Sequence, residues 1–253
     1  MKRLLLDIET APNVVHAWGI WQQNIGINQI VSSSYTLCWA AKWHGGKEIF
    51  FDSVHQSKPK KMLEGIYRLI SEADTVVHYN GKSFDIPTLN KEFLLQGMTP
   101  PPPYKQVDLC NTAKGQFRFP SNKLEYIARQ LKIGEKVKHE GHELWTACMA
   151  GDKEAWKRME AYNRQDIVLL EKLYTKLLPW VRNHPNAGVY NAGEALACPA
   201  CDSTDLINRG WYRTNVNQYK RMSCKACGTW SRQAWGDFSH SQRGNLARSV
   251  PQN

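Results

Sequence analysis

Asp7 and Glu9 are two acidic residues in an otherwise apolar run, Leu4-Leu5-Leu6-Asp7-Ile8-Glu9. Such a run is typical of a buried β-strand, in which side chains two positions apart leave on the same face. Two carboxylates side by side on one face repel each other, and a divalent cation held between their oxygens would relieve the repulsion. A solvated strand end would relieve it as well, so the pair alone leaves both interpretations open.

Two further acids, Asp166 and Asp85, lie in or beside predicted helices. The apolar stripe of a long helix predicted over residues 152–178 contains Asp166, with Tyr162 one turn earlier on the same face. A buried unpaired carboxylate is heavily penalised, so Asp166 must meet a metal ion, a basic side chain or strong donors. Asp85 lies just before Pro87, and there a helix N-cap is the favoured interpretation on local grounds.

Taken in chain order, these residues resemble the three motifs of the DEDD, or DnaQ-like, 3′–5′ exonucleases. The motifs are Asp7-Ile8-Glu9-Thr10, Asn80-x-x-x-Phe84-Asp85 and Tyr162-x-x-x-Asp166, and the resemblance covers about residues 1–180. The tyrosine is typical of the DEDDy branch. Residues 79–89 are similar to the exonuclease domain of family B DNA polymerases.

The resemblance implies an α/β, ribonuclease H-like fold, with a mixed five-stranded sheet and flanking helices. It also implies two Mg²⁺ or Mn²⁺ ions, a combination that suits phosphodiester hydrolysis. Asp7 would bridge both ions, Glu9 and Asp166 would complete the nucleophile side, and Asp85 would hold the leaving-group side largely through water. Tyr162 would orient the attacking water.

The implied function is release of nucleoside monophosphates from 3′ ends of DNA, single-stranded or frayed. An exonuclease that trims RNA 3′ ends is the nearest alternative, and a structure-selective endonuclease is less favoured. A non-catalytic protein that binds nucleic acid through its C-terminal part is the alternative from another class.

Two Cys-x-x-Cys pairs lie near the C-terminus, Cys198/Cys201 and Cys224/Cys227. This pattern is typical of a four-thiolate zinc site, and the segment resembles a small β-rich zinc ribbon. We expect one structural Zn²⁺ there rather than redox or disulfide chemistry. The favoured role of the ribbon is to bind nucleic acid beside the exonuclease, and a structural appendage or a protein-docking module is the alternative.

The predicted organisation is an exonuclease domain over residues 1–182, a linker over 183–193, the ribbon over 194–235 and a mobile tail over 236–253. A polymerase does not fit into the residues after the exonuclease domain, so a polymerase or another replication or repair protein would act in trans. Asp108, at the end of a predicted strand, is interpreted as a structural acid rather than a metal ligand. Neither a signal peptide nor a membrane span is predicted, so a cytoplasmic location is expected, in the host cytoplasm for a phage-encoded protein.

The charge of the chain favours a polyanionic partner, because 33 Lys and Arg exceed 23 Asp and Glu. Aromatic and basic side chains near the motifs and between the cysteine pairs are suited to base stacking and phosphate contact. For Trp18 and Trp21 a place in the core is the favoured alternative. The candidate nucleic-acid contacts are Thr10, Trp18, Trp21, Asn80, Lys82, Phe84, Arg209, Trp211, Tyr212, Arg213, Tyr219, Lys220 and Arg221.

Overall fold

A computed structural model describes residues 1–137, 140–191 and 195–250. The chain divides into a larger unit, Lys2–Tyr174, and a smaller unit, Thr175–Asn253. The domain bounds expected from the sequence stay predictions. The expected boundary between residues 193 and 194 and the last three residues of the expected tail lie outside the described residues.

The larger unit has seven described strands: β1 (Arg3–Thr10), β2 (Val14–Val15), β3 (Ile30–Ser32), β4 (Thr36–Trp43), β5 (Ile49–Ser53), β6 (Thr75–His78) and β7 (Lys105–Asp108). A five-stranded mixed sheet forms the centre of this unit, with the strand order β5-β4-β1-β6-β7. β1 is the middle strand, antiparallel to β4 and parallel to β6. A separate antiparallel pair joins β2 with β3.

Helices cover the sheet. They are α1 (Pro59–Glu72), α2 (Asp85–Leu95), α3 (Leu109–Gln116), α4 (Leu124–Gln130), α5 (His142–Met149) and α6 (Lys153–Leu177). Short 3₁₀ turns occupy Ile27–Gln29, Leu178–Trp180 and Ala187–Asn191. The mixed five-stranded sheet with flanking helices confirms the predicted architecture.

The central position of β1 follows from its composition, because a strand covered on both faces needs apolar residues in succession. Leu4, Leu6 and Ile8 belong to one core cluster, which also includes residues of α1 and α2. Alternation then turns Asp7 and Glu9 to the opposite face of the sheet. On that face a second cluster joins β4 with α5 and α6.

The smaller unit contains the strands β8 (Leu206–Arg213), β9 (Gln218–Cys224) and β10 (Trp230–Arg232) and the short helix α7 (His240–Gly244). The strands form an antiparallel sheet in the order β10-β9-β8. This sheet confirms the β-rich character predicted for the segment.

The segment that follows the small sheet has local structure at its start, where the sequence predicted a mobile tail. The Asp237 N–H donates to the Gln218 carbonyl at 2.8 Å, and the Phe238 N–H donates to Asn217 Oδ1 at 2.9 Å. Ser239 then caps α7. Among the described residues, none of the helices combines the length and the apolar character that crossing a bilayer requires.

Candidate active site and cysteine cluster

Three carboxylates meet where β1 faces α6. Oxygens of Asp7, Glu9 and Asp166 all lie within 4.8 Å of one another. Asp166 is 2% exposed, whereas Asp7 and Glu9 are partly exposed. The residues paired with the two β1 acids across the sheet are Ala40 and Cys38, whose small side chains leave room for the carboxylates. The structure therefore brings together three of the four predicted acids as possible ligands of one cation.

Asp85 stands beside this group and is tied to β1. Its Oδ1 accepts a hydrogen bond from the Ile8 N–H at 3.1 Å, and the residue is 4% exposed. The N-cap of α2 is Phe84, with no capping bond from its side chain, and Asp85 is the first helical residue. The interpretation of Asp85 as an N-cap is therefore wrong, because its carboxylate bonds to the central strand.

The turn before α2 requires a glycine. A Cβ on Gly81 would lie 2.5 Å from a ring carbon of His78, too close for any other residue. Asp108 holds this turn, because its carboxylate accepts from the Asn80 N–H at 3.0 Å and also caps α3 through the Cys110 N–H at 2.9 Å. Asp108 is thus the structural acid that the sequence predicted.

Burial and mutual repulsion raise the pKa values of the carboxylates. Burial first, and then the charge of Asp166, raise the pKa of Glu9 to about 8. Burial also raises the pKa of Asp85 to about 7, although the Ile8 N–H opposes the shift. The pKa of Asp7 is raised well above its ordinary value by burial and by the other three acids. A divalent cation would relieve this repulsion, so the donor set fits hard metal ions.

Lys136 is a site residue that the sequence analysis missed. Its Nζ donates to Asp166 Oδ2 at 2.5 Å and to the Tyr162 hydroxyl at 2.9 Å, and lies 4.9 Å from the Tyr162 ring centroid. Burial lowers the pKa of Lys136, but the attraction of Asp166 outweighs burial and raises it overall. Asp166, the buried acid in the apolar stripe of the helix, therefore contacts a basic side chain. This is one of the three partners predicted for it, beside a metal ion and strong hydrogen-bond donors.

Two more residues hold the ligands in place and were also missed. Asn163 is fully buried and donates from Nδ2 to Asp7 Oδ2 at 2.6 Å. Trp145 packs edge-on against Tyr162 with ring centroids 5.9 Å apart, and its hydrogen bond to Glu9 favours the charged carboxylate. Burial, and then the charge of Asp166, raise the pKa of Tyr162, so its hydroxyl stays protonated at neutral pH.

A cavity of about 620 Å³ opens beside the carboxylates. Among the predicted contact residues, Asn80 lines it. Its basic lining residues are Lys114, Lys123 and Lys136, and its acidic lining residues are Asp7 and Glu125, so basic side chains are in excess by one. Lysines so placed are suited to phosphate groups of a strand whose end reaches the acids.

Other predicted contacts lie elsewhere. Trp18 and Trp21 are 100% and 83% exposed in the connection between β2 and β3, so a place in the core is wrong for both. Phe84 is 45% exposed before α2, and Lys82 donates its backbone N–H to Asp108 at 3.3 Å. Thr10 ends β1 and pairs with Thr36.

The four predicted cysteines converge in the smaller unit. All four sulfurs lie within 4.8 Å of one another. The distance is 3.6 Å from Cys198 Sγ to Cys227 Sγ and also from Cys201 Sγ to Cys224 Sγ. A tetrahedral zinc ion with Zn–S bonds of about 2.3 Å places its sulfurs about 3.8 Å apart, whereas a disulfide needs about 2.05 Å. The cysteine geometry therefore fits a zinc ion and not a disulfide.

Backbone donors prepare one of these sulfurs for a metal ion. Burial raises the pKa of the Cys224 thiol, but hydrogen bonds from the N–H groups of Cys227 and Ala226, together with those of neighbouring cysteines, lower it to about 7. Gly228 follows the second pair with φ +79°, a conformation that favours glycine. The candidate contacts between the cysteine pairs lie on or beside β8 and β9.

The chain belongs to the RNase_H superfamily, whose family model matches residues 26–178. The matched range includes Asp85, Tyr162 and Asp166 and begins after β1. Together with the five-stranded sheet, this membership confirms the predicted ribonuclease H-like fold and supports a nuclease.

A solved structure of the family B DNA polymerase from the hyperthermophilic archaeon Pyrobaculum calidifontis is similar in fold. Its TM-score is 0.53 at 19% sequence identity, and the similarity covers 70% of this chain and 24% of the polymerase. The chain therefore matches only about a quarter of that polymerase. No curated protein sequence matches the chain.

Proposed function

We propose that this protein is a metal-dependent 3′–5′ exonuclease of the DEDDy type that releases nucleoside monophosphates from nucleic acid, preferably from 3′ ends of single-stranded or frayed DNA. The observation that carries the proposal is the grouping of Asp7, Glu9 and Asp166 within 4.8 Å, with Tyr162 one helical turn from Asp166. The lysines that line the adjacent cavity support a polyanionic substrate. Membership of the RNase_H superfamily supports the nuclease class.

Four acids would hold two Mg²⁺ or Mn²⁺ ions. Asp7 would contact both, Glu9 and Asp166 would complete one, and Asp85, which stands apart beside Ile8, would serve the other through water. When bound, such ions make water acidic enough to attack at neutral pH and offset charge on the phosphodiester. We further propose one structural Zn²⁺ on the four cysteines.

The side chains around the acids position the reacting groups. The Tyr162 hydroxyl, held protonated by its raised pKa, can donate to or accept from the attacking water. Lys136 fixes both Tyr162 and Asp166, and Asn163 fixes the Asp7 oxygen that it contacts. Because hydrolysis requires an aligned attack, these contacts would determine the rate more than the affinity.

The strand would enter through the cavity. Lys114 and Lys123 would contact phosphates there, and Asn80 would contact the terminal nucleotide. Thr10, Lys82, Phe84, Trp18 and Trp21 stay predicted contacts. A polymerase or other repair protein in trans and a cytoplasmic location also stay predictions.

The test is a cleavage assay on single-stranded DNA and RNA of one sequence, labelled at the 5′ end, with Mg²⁺, Mn²⁺ or EDTA. We expect a metal-dependent ladder that shortens from the 3′ end of DNA, and its loss in Asp7→Ala. Glu64→Ala, which removes an exposed acid on α1, is the matched control and should retain activity.

Each other result contradicts part of the proposal. Cleavage of RNA alone would reject the preference for DNA and keep the exonuclease. Internal cuts would indicate an endonuclease. Strands that bind to the protein but are not cleaved, or full activity in Asp7→Ala, would contradict the proposed catalytic site.

A further inference from the structure

The sheet of the smaller unit separates its aromatic and basic residues between two faces. Residues paired across antiparallel strands share a face, and neighbours along a strand alternate. Tyr212 pairs with Tyr219, and Arg221 pairs with Arg232. Trp230 pairs with Ser223, two positions from Arg221, and so lies on the same side. We define the aromatic face as Tyr212, Tyr219, Arg221, Trp230 and Arg232.

The opposite face has a different composition. Lys220 and Trp211 pair there, one position away from the Tyr212–Tyr219 pair. Met222 and Cys224, which are 5% and 3% exposed, follow along the same face of β9. The end of this face at Met222 and Cys224 therefore supplies the buried interior of the unit, and the aromatic face is available to a ligand.

Arginine and aromatic side chains interleave on the aromatic face. The Arg232 guanidinium lies 3.8 Å from the ring centroid of Tyr219 and 5.7 Å from that of Tyr212. The Arg221 guanidinium lies 5.1 Å from the Trp230 ring centroid and donates to the Arg209 carbonyl. Stacking orders these long side chains in advance, which reduces the entropy lost when they bind a ligand.

The outer rings stay open to solvent. Tyr212 is 48% exposed and Trp230 is 56% exposed. Every charged residue on the three strands is basic, which favours a polyanion. These basic residues are Arg209, Arg213, Lys220, Arg221 and Arg232.

We propose that the aromatic face binds single-stranded nucleic acid. Bases stack on Tyr212 and Trp230, and Arg221 and Arg232 contact the phosphates between them. Aromatic rings alternating with cations are the features that recognise a strand with exposed bases, because every base offers a ring face and every linkage a charge. Tyrosine, tryptophan and arginine also occur at protein interfaces, but the uniformly basic charge of the three strands favours a polyanion over a protein partner. This surface goes beyond the proposed exonuclease, because it binds a strand without cleaving it.

Only part of this face is predictable from the sequence. Tyr212, Tyr219 and Arg221 were among the predicted contacts, whereas Trp230 and Arg232 lie after the second cysteine pair. Only the pairing of β9 with β10 brings these two residues onto the face.

The test is fluorescence anisotropy with full-length, zinc-loaded Asp7→Ala protein and no added Mg²⁺ or Mn²⁺, so that binding is measured without cleavage. The probes are labelled oligo-dT, oligo-U and an abasic DNA strand of equal length. We expect Trp230→Ala to weaken binding to both base-bearing strands about tenfold and to leave the abasic strand nearly unaffected. Zinc content of each variant reports whether the unit has folded.

The matched control makes the same substitution on and off the aromatic face. Arg221→Gln and Arg243→Gln, the latter at an exposed residue of α7, remove the same charge, and we expect only Arg221→Gln to weaken binding, by about fivefold or more. Equal losses in both variants would mean diffuse attraction and would overturn the proposal. So would unchanged affinity in Trp230→Ala, or no binding to any strand, which would favour a protein partner. The cleavage assay on wild-type protein is independent, so failure of either proposal leaves the other open.

Discussion

The acidic group and the cysteine cluster both place ligand atoms within 4.8 Å of one another, but the chain assembles them differently. The cysteines lie in two short pairs, and backbone N–H groups within those pairs support the sulfurs. The acids lie on β1 and α6, which are far apart in sequence and meet only in the folded unit. The acidic group depends on the fold of the larger unit, whereas the fold of the smaller unit should depend on its metal.

The charges of the acidic group are only partly balanced by its neighbouring side chains. At the acidic group, Lys136 supplies a positive charge to Asp166, yet burial and then the charge of Asp166 still raise the pKa of Glu9. The larger unit also has extensive apolar clusters under its sheet. We therefore expect loss of a cysteine to affect stability far more than loss of an acid, and loss of an acid to affect chemistry far more than stability.

The largest expected effect is on zinc binding and on the folding of the smaller unit. Zinc binding supplies about 10–16 kcal/mol in small zinc domains, more than a sheet of this size provides alone. We expect Cys224→Ser to reduce bound zinc from one per chain to nearly none and to abolish hydrogen-exchange protection in β8 and β9. Amides of β1 should remain protected.

Cys148→Ala is the control for that variant, because Cys148 is buried in the larger unit and lies outside the cluster. It should retain one zinc per chain. A Cys224→Ser protein with full zinc and unchanged protection would show that the cluster does not stabilise its unit.

The second expected effect concerns stability of the larger unit without catalytic metal. The pKa of Glu9 is about 8 in the folded protein against 4.5 ordinarily, so the folded state binds more protons between these pH values. The free energy of unfolding should therefore fall as pH rises from about 5 to 8. Asp7→Asn removes one repelling charge while its amide oxygen can still accept from Asn163.

We expect this Asp7→Asn protein to be as stable as wild type at pH 8, or more stable by about 1 kcal/mol, and to show a smaller loss with pH. Urea unfolding with zinc bound and no Mg²⁺ or Mn²⁺ measures this. Added Mn²⁺ should then stabilise wild type more than the variant. A variant clearly less stable than wild type would mean that the carboxylate is a structural group.

The sequence predicted the elements whose patterns are local and missed the residues placed by tertiary contacts. The alternation in β1 and the 3.6-residue stripe of α6 identified Asp7, Glu9, Tyr162 and Asp166, because periodicity defines a face. Lys136 lies between α4 and α5, where the sequence has no such periodicity. The sequence required a partner for Asp166 but could not indicate which one.

Asp85 and Asn163 show the same limit at single positions. Local rules favoured Asp85 as a cap, and only the approach of β1 explains its bond to the Ile8 N–H. Asn163 follows Tyr162 in a helix, where a polar residue is ordinarily solvated, yet it is fully buried against Asp7. Neither contact is visible in a local pattern, because each joins residues that are far apart in sequence.

The smallest expected effect tests whether Lys136 positions the catalytic groups. Its ammonium donates hydrogen bonds to Asp166 Oδ2 and to the Tyr162 hydroxyl. The first contact competes with a metal ion for the carboxylate, and the second orients the tyrosine. We expect Lys136→Met to lower kcat about tenfold, because the attacking water loses alignment, and to reduce the Mn²⁺ concentration needed for half-maximal activity. Lys172→Met, an exposed lysine on α6, should change neither quantity. Loss of a merely structural lysine would lower stability without changing the metal dependence. An unchanged Mn²⁺ requirement in Lys136→Met would therefore show that the ammonium does not compete with the metal ion.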